Sequence, residues 1–372
     1  MKDMPEMTDK KIFADLLHHR VQSLAQHEPA SLPITTSSVY HLSGDVGQGD
    51  KYARFDNPVW RAVEEQLALI ERAPSLIFPS GMATIAAVFY TMLKTGDRIL
   101  LPADGYYNSR ALADIYLTPM GITIETCATK HMADKDLSGF DLVFAETPSN
   151  PGLDVCDLDV LCQKAKAAGA RLVVDNTTLT GLIQRPLQIG ADLVLAADTK
   201  VQGGHADLLA GHIATRDMAL YERIKEWRKF SGSICGSFDA WLLHRGLETL
   251  ELRLTRMCET ARVLAQRFQD HKAVTAIRYP GLKDDPAYNI AKKQMSDFGF
   301  LIGLTLKDEK TAERFLSSCP YIAETTSFGS THSSGERRAR WGDDVDPGFI
   351  RLSVGCEPVE PLWKAIEASL AA

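Results

Sequence analysis

The chain has 372 residues, 45% of them apolar and 24% charged, with a formal net charge of −7; this is a globular composition and a length for two or three domains. An acidic balance without a long basic run argues against a nucleic-acid partner, and the longest mostly apolar stretch, residues 85–93, is too short to span a bilayer. Seven cysteines, an odd number without a C-x-x-C pair, point to reduced thiols and a cytoplasmic location rather than a disulfide framework.

Residues 1–45 are mixed and polar, carry no secretory-signal pattern, and read as an arm rather than a domain. Over residues 46–235 helical and extended patterns alternate. Helices are expected at 60–72, 82–94, 108–118 and 156–169, and strands at 97–101, 121–126, 141–146, 171–175, 192–197 and 211–215. Short, continuously apolar strands separated by helices predict an α/β domain whose mostly parallel sheet is covered on both faces. Ligands of such sheets sit outside the carboxyl ends of the strands. A long helical stretch over 237–270 then opens a smaller α+β region, residues 236–372.

Phe78-Pro79-Ser80-Gly81-Met82-Ala83 breaks the chain just before a helical run. Glycine at a helix start leaves N–H groups free for an anion, which the helix dipole favours; Ser-Gly there is also an ordinary N-cap. Tyr106 follows the 97–101 strand, where a tyrosine either stacks on a planar ring or fills half-buried core. Asp175 ends one apolar strand, and Lys200, beside Thr199, follows the next. Alone, Lys200 reads as a surface lysine leaving a strand. With Asp175 it makes the pairing of a pyridoxal 5'-phosphate site. The lysine holds the aldehyde as a Schiff base, and the carboxylate keeps the pyridine nitrogen protonated. Thr199 offers a hydroxyl to the same phosphate. The spacing of His205, Asp207 and His212 permits a metal, but these residues trail the lysine motif and no metal is expected. No G-x-G-x-x-G opens a helix after an early strand, which sets aside a dinucleotide-binding dehydrogenase.

Across residues 33–365 these segments and several others resemble, in order, the Cys/Met-metabolism family of pyridoxal-phosphate enzymes. That family includes cystathionine γ-synthase, cystathionine β- and γ-lyases, methionine γ-lyase and homoserine sulfhydrylases. Tyr52-Ala53-Arg54-Phe55-Asp56-Asn57-Pro58 is similar to its Y-x-R-x-x-N-P, and Ser80-Gly81-Met82-Ala83 to its S-G-M-A. Glu146-Thr147-Pro148-Ser149-Asn150-Pro151 resembles E-x-P-S-N-P, and Val174-Asp175-Asn176-Thr177 resembles V-D-N-T. Thr199-Lys200 with Gly204-His205-Ala206-Asp207 resembles T-K-x-x-x-G-H-S-D, and the segment from Arg351 to Glu357 resembles R-L-S-x-G-x-E.

The resemblance implies a fold-type I, transferase-like architecture: a large, mostly parallel seven-stranded sheet domain and a smaller C-terminal α+β domain. It implies Lys200 as the Schiff-base residue, Asp175 on the pyridine nitrogen, and Tyr106 over the ring, assisting proton transfer. Ser80, Gly81, Met82 and Thr199 would surround the phosphate, and Asn150 would lie beside the ring. Arg351 and Ser327 would hold the substrate carboxylate. Tyr52 and Arg54 would reach the neighbouring subunit's phosphate, Tyr52 touching substrate as well. A homodimer with shared active sites follows, its 1–45 arms contacting the neighbour, and two such dimers form a tetramer. The implied activity is carbon–sulfur cleavage of cystathionine or a related small sulfur amino acid, with γ-elimination slightly favoured. The alternatives are the β-lyase, a γ-replacement synthase or sulfhydrylase using an activated homoserine, and a cofactor-binding protein without turnover.

Three positions depart from the family pattern. Ala197 stands where many relatives carry a serine, at a cost of about 0.5–1.5 kcal/mol for one lost hydrogen bond. Val201 replaces a tyrosine. His332 takes the place of a glutamate common in γ-acting members, which draws the choice of substrate toward residue 332. The run Glu336-Arg337-Arg338-Ala339-Arg340-Trp341 reads as a solvated face, with a gate to substrate entry as the alternative.

Overall fold

A computed structural model describes residues 10–371. Seven strands build its larger sheet: β1 (Ser75–Phe78), β2 (Arg98–Pro102), β3 (Thr123–Cys127), β4 (Leu142–Glu146), β5 (Arg171–Asp175), β6 (Leu193–Ala196) and β7 (Gly211–Thr215). Their spatial order is β1-β7-β6-β5-β4-β2-β3. The strands from β3 across to β6 are parallel, and β7 runs antiparallel to both β6 and β1. Strands such as Leu142–Glu146 are buried along their whole length because both faces are covered. Ile99, Leu101, Phe144 and Val173 pack toward the helix Gly81–Met92, while Leu100, Val143, Leu172 and Val174 pack toward the helix Leu158–Ala168.

A second sheet takes β8 (Val274–Arg278), β9 (Leu301–Leu306), β10 (Ala323–Glu324), β11 (Ser334–Arg337) and β12 (Phe349–Ser353), in the order β10-β11-β12-β9-β8. Strands β11 and β12 are antiparallel, with Glu336 directly opposite Arg351. The solvated-face expectation for 336–341 holds for Arg340 and Trp341 but fails for residues 336–338, where Glu336 is 1% exposed and Arg338 8%. Glu336 and Arg338 remain inside because each is paired, Glu336 with the Arg338 and Arg351 guanidinium groups and Arg338 with Asp343 as well.

The six expected strands of the first sheet lie within two residues of their observed limits. The strand Ser75–Phe78 was missed; it is four residues long, and Pro74 and Pro79 flank it. The expected single helix over 237–270 is two, Ser237–Leu247 and Leu250–Gln269. The break is functional in its geometry. Arg253, buried in the second helix, donates to the Gly246 carbonyl at 2.6 Å and to the Val201 and Gln202 carbonyls at 2.5 and 3.1 Å. It thereby ties the turn after Lys200 to this helix. A side chain at Gly204, where φ is 73°, would run into that guanidinium.

Of the 1–45 arm, residues 1–9 lie outside the described residues. The remainder holds a helix, Lys10–His18, which buries Leu16, and then a largely exposed stretch. No helix among the described residues is long and apolar enough to cross a membrane.

Candidate active site

A cavity of about 430 Å3 opens at the carboxyl ends of β5 and β6. It gathers Ser80, Gly81, Met82, Tyr106, Asn150, Asp175, Thr199, Lys200, Ser327 and Arg351, ten of the twelve residues the sequence singles out. Tyr52 and Arg54 are not brought there. Arg54 instead donates from Nη1 to the Lys229 carbonyl at 2.7 Å and stacks between Tyr52 and Phe55 at 5.4 and 5.2 Å.

At one end of the cavity lies the N-terminus of the helix Gly81–Met92. Ser80 caps it, its Oγ accepting from the Ala83 N–H at 3.1 Å. A Cβ on Gly81 would sit 2.5 Å from the Ala197 Cβ, so glycine here lets the helix start press against the end of β6 with its first N–H groups toward the cavity. Thr199 lines the wall, but its hydroxyl donates to the Ala210 carbonyl and accepts from the Ala210 N–H, both at 3.2 Å. The hydroxyl that the sequence offers to a phosphate is thus already engaged.

At the opposite end Asp175 is buried. Its Oδ1 accepts from the Thr177 N–H at 3.0 Å and from the Thr177 hydroxyl at 2.5 Å, leaving Oδ2 for a donor in the cavity. Burial pushes its carboxyl up, while the Thr177 bonds and the charges of Lys200 and His212 hold it down. Glu146 accepts from the Tyr106 N–H at 2.6 Å and so positions that ring. Burial, followed by the charge of Asp175, pushes the Glu146 carboxyl well above the usual range.

Lys200 donates from Nζ to the Ser327 hydroxyl at 2.6 Å and lies 5.0 Å from the Phe328 ring. Burial first, and the nearby Arg351 cation second, lower its amine to about 8, with Asp175 and Glu336 opposing. Arg351 is held on three sides. Its Nη1 donates to Asn150 Oδ1 at 2.6 Å, and its Nη2 donates to the Ser327 carbonyl and to Glu336 Oε2, both at 2.9 Å. Its Nε is buried and has no partner among the described residues, an orphan donor pointing to a ligand that supplies an acceptor.

Glu146, Glu336, Arg338, Trp341 and Phe328 also line the cavity; the sequence places Glu146 in a turn beside the ring and offers the run 336–341 only as a gate, and it names none of the five as a site residue. Glu336 lies on β11, opposite Arg351, and Arg338 follows directly after that strand. His332 is exposed and lines an adjoining hollow, which shares Thr199, Ser327 and Phe328 with the cavity. His205 turns its Nδ1 to the Gly203 carbonyl at 2.7 Å, whereas His212 is buried with its Nδ1 2.7 Å from Asp198.

The family model for Cys/Met metabolism PLP-dependent enzymes matches residues 14–371. The chain belongs to this family. Its members depend on pyridoxal 5'-phosphate, and the cavity suits that group: an amine of lowered basicity, a carboxylate with an unused oxygen, and a capped helix start for the phosphate. Among relatives, a putative cystathionine gamma-lyase of Streptomyces coelicolor is 42% identical over 91% of this chain and 88% of its own length. A cystathionine beta-lyase of Lactococcus lactis is 36% identical, covering 96% and 98%. The crystal structure of a cystathionine gamma synthase from Xanthomonas oryzae superposes with a TM-score of 0.93 at 30% identity, over 97% of each chain. These three names cover three reactions within one family, and the chain is a PLP-dependent lyase or synthase of it.

Proposed function

We infer that this family member is a carbon–sulfur lyase acting on cystathionine or a related sulfur amino acid, by γ-elimination in preference to β-elimination. The observation that carries the substrate class is Arg351, a buried guanidinium with an unpartnered Nε in the same cavity as Lys200. An α-amino acid supplies both an amine for the cofactor and a carboxylate for this arginine. The γ preference is supported by the 42% identical relative named putative cystathionine gamma-lyase.

When bound, pyridoxal phosphate supplies an electron sink for bonds at the substrate's Cα. Lys200 would hold it covalently, Asp175 Oδ2 would face its ring nitrogen, and the Gly81 helix start would face its phosphate. Arg351, fixed by Asn150 and Ser327, orients the substrate carboxylate and with it the Cα–H bond. Lys200, once free, takes the Cα proton, and an amine near 8 is matched to that task at neutral pH. Tyr106, exposed at the cavity mouth, lies where its phenol can pass a proton to the departing side of the substrate.

Tyr52 and Arg54 serve a neighbouring subunit in this reading, so the minimal active unit is a dimer, and two dimers make a tetramer. Support comes from their turning away from the chain's own cavity and from the exposed apolar residues around them: Val39, Leu42, Val46 and Phe55. A cytoplasmic setting agrees with seven free cysteines among the described residues.

The test gives purified holoenzyme L-cystathionine and identifies the products by mass. Cysteine with 2-oxobutyrate is the expected outcome. Homocysteine with pyruvate assigns β-elimination instead, and cystathionine formation from an activated homoserine and cysteine assigns the synthase. Absence of all three refutes turnover of this substrate class.

A further inference from the structure

Glu336 Oε2 accepts from two guanidinium groups at once, from Arg351 Nη2 at 2.9 Å and from Arg338 Nη1 at 2.7 Å. Its other oxygen accepts from the Trp341 indole N–H at 2.7 Å. A single carboxylate therefore draws two like-charged side chains to one point, and both of them line the cavity that holds Lys200. Glu336, Arg338 and Arg351 are 1%, 8% and 4% exposed, so water does little to screen the arrangement. Asp343 holds Arg338 from the outer side, at 2.7 Å from Nε and 2.6 Å from Nη2. Each terminal nitrogen of Arg338 still has one N–H without an assigned acceptor. The Nε of Arg351 is likewise unpartnered and buried. Glu336 from within and Asp343 from the outer side balance the two guanidinium charges, so what the pair still offers is N–H donors for a further acceptor.

The geometry points to a two-arginine seat for the substrate's α-carboxylate, in which Arg338 is a second binding residue beside Arg351 and Glu336 is the strut that holds the pair together. This rests on the reading of Arg351 as the carboxylate residue. It places carboxylate recognition at Glu336 on β11, at Arg338 directly after it and at Arg351 on β12. It also makes the carboxylate a strong requirement. An amine of the same length but without that group would leave those donors without the acceptor that the carboxylate brings, which is costly.

The experiment titrates holoenzyme with L-alanine, which has no leaving group, and with ethylamine, which is alanine without its carboxylate. The readout is the ratio of the two dissociation constants, followed by the cofactor's absorbance. Wild-type enzyme prefers alanine. Arg338→Gln is expected to cut that preference at least about tenfold, the worth of one charge-assisted hydrogen bond. Glu336→Gln keeps an acceptor between the arginines and is the reference for the charge-balanced double variant Glu336→Gln/Arg338→Gln. That double variant carries the test if Arg338→Gln alone does not fold. A preference in the double variant about tenfold below that of Glu336→Gln supports direct contact. Equal preference in those two variants shows that Arg338 only neutralises Glu336, and overturns the proposal. Arg351→Gln separates the two readings: if it leaves the preference intact, the assignment of Arg351 falls first.

Discussion

The amine of Lys200 offers the most direct check on how the site works. An ordinary lysine near 10.5 is neutral in about one molecule in a thousand at pH 7.5, whereas one at about 8 is neutral in about one in four. That is a rise of a few hundredfold in the species that attacks an aldehyde. The shift corresponds to about 3 kcal/mol against the charged form, supplied by burial against Phe328 and by the Arg351 cation. The sign follows from a lowered value: the neutral amine accumulates as pH rises through about 8, not through 10.5. Cofactor-free protein mixed rapidly with pyridoxal phosphate over a pH series should bind it with a rate midpoint close to 8. N-α-acetyl-lysine run in parallel corrects for the aldehyde's own titration. Arg351→Gln removes the second cause of the shift and should move the midpoint upward. A wild-type midpoint near 10, or no movement in the variant, refutes the reasoning.

Two further outcomes are expected. Gly81→Ala places a methyl group 2.5 Å from that of Ala197; it should cost about 1–3 kcal/mol as overpacking and weaken cofactor retention, and Ala197→Gly in the same chain should restore part of both in a thermal melt and a dialysis assay. Lys200→Ala and Arg54→Ala subunits, each inactive or weak alone, should recover activity after mixing and reassembly, because one native site then forms per pair; no recovery counts against sites shared between subunits.

The chain order of the sheet and most of the cavity were legible because their signals are local. Asp175 ends a fully apolar strand, Ser80-Gly81 stands before a helix, and the lysine segment follows the next strand. What escaped was non-local. Glu336 and Arg338 lie in a run of charges that a sequence presents as solvated, and only the pairing of β11 with β12 buries them against Arg351. Thr199 was legible as a hydroxyl beside the lysine, yet Ala210, eleven residues on, takes its bonds. His332 carried a family expectation through its position in a motif, and it stands exposed in a hollow adjoining the cavity at Ser327 and Phe328. The break at Glu248–Thr249 carries no proline; the buried Arg253, which draws the chain of the preceding turn inward, was the hidden cause.

Ser327 joins the two working ends of the site: its hydroxyl receives Lys200 and its carbonyl receives Arg351. It does so with a φ of 77°, a left-handed backbone that costs a side-chain-bearing residue on the order of 1–3 kcal/mol. The protein therefore carries a small, permanent debt of folding stability at this one position. Glycine would cancel the debt and leave the lysine without its hydroxyl; alanine would keep the debt and lose the hydroxyl as well. Attempts to raise the enzyme's thermal tolerance by relaxing strained residues should treat residue 327 as the place where robustness and a correctly poised lysine are in direct conflict.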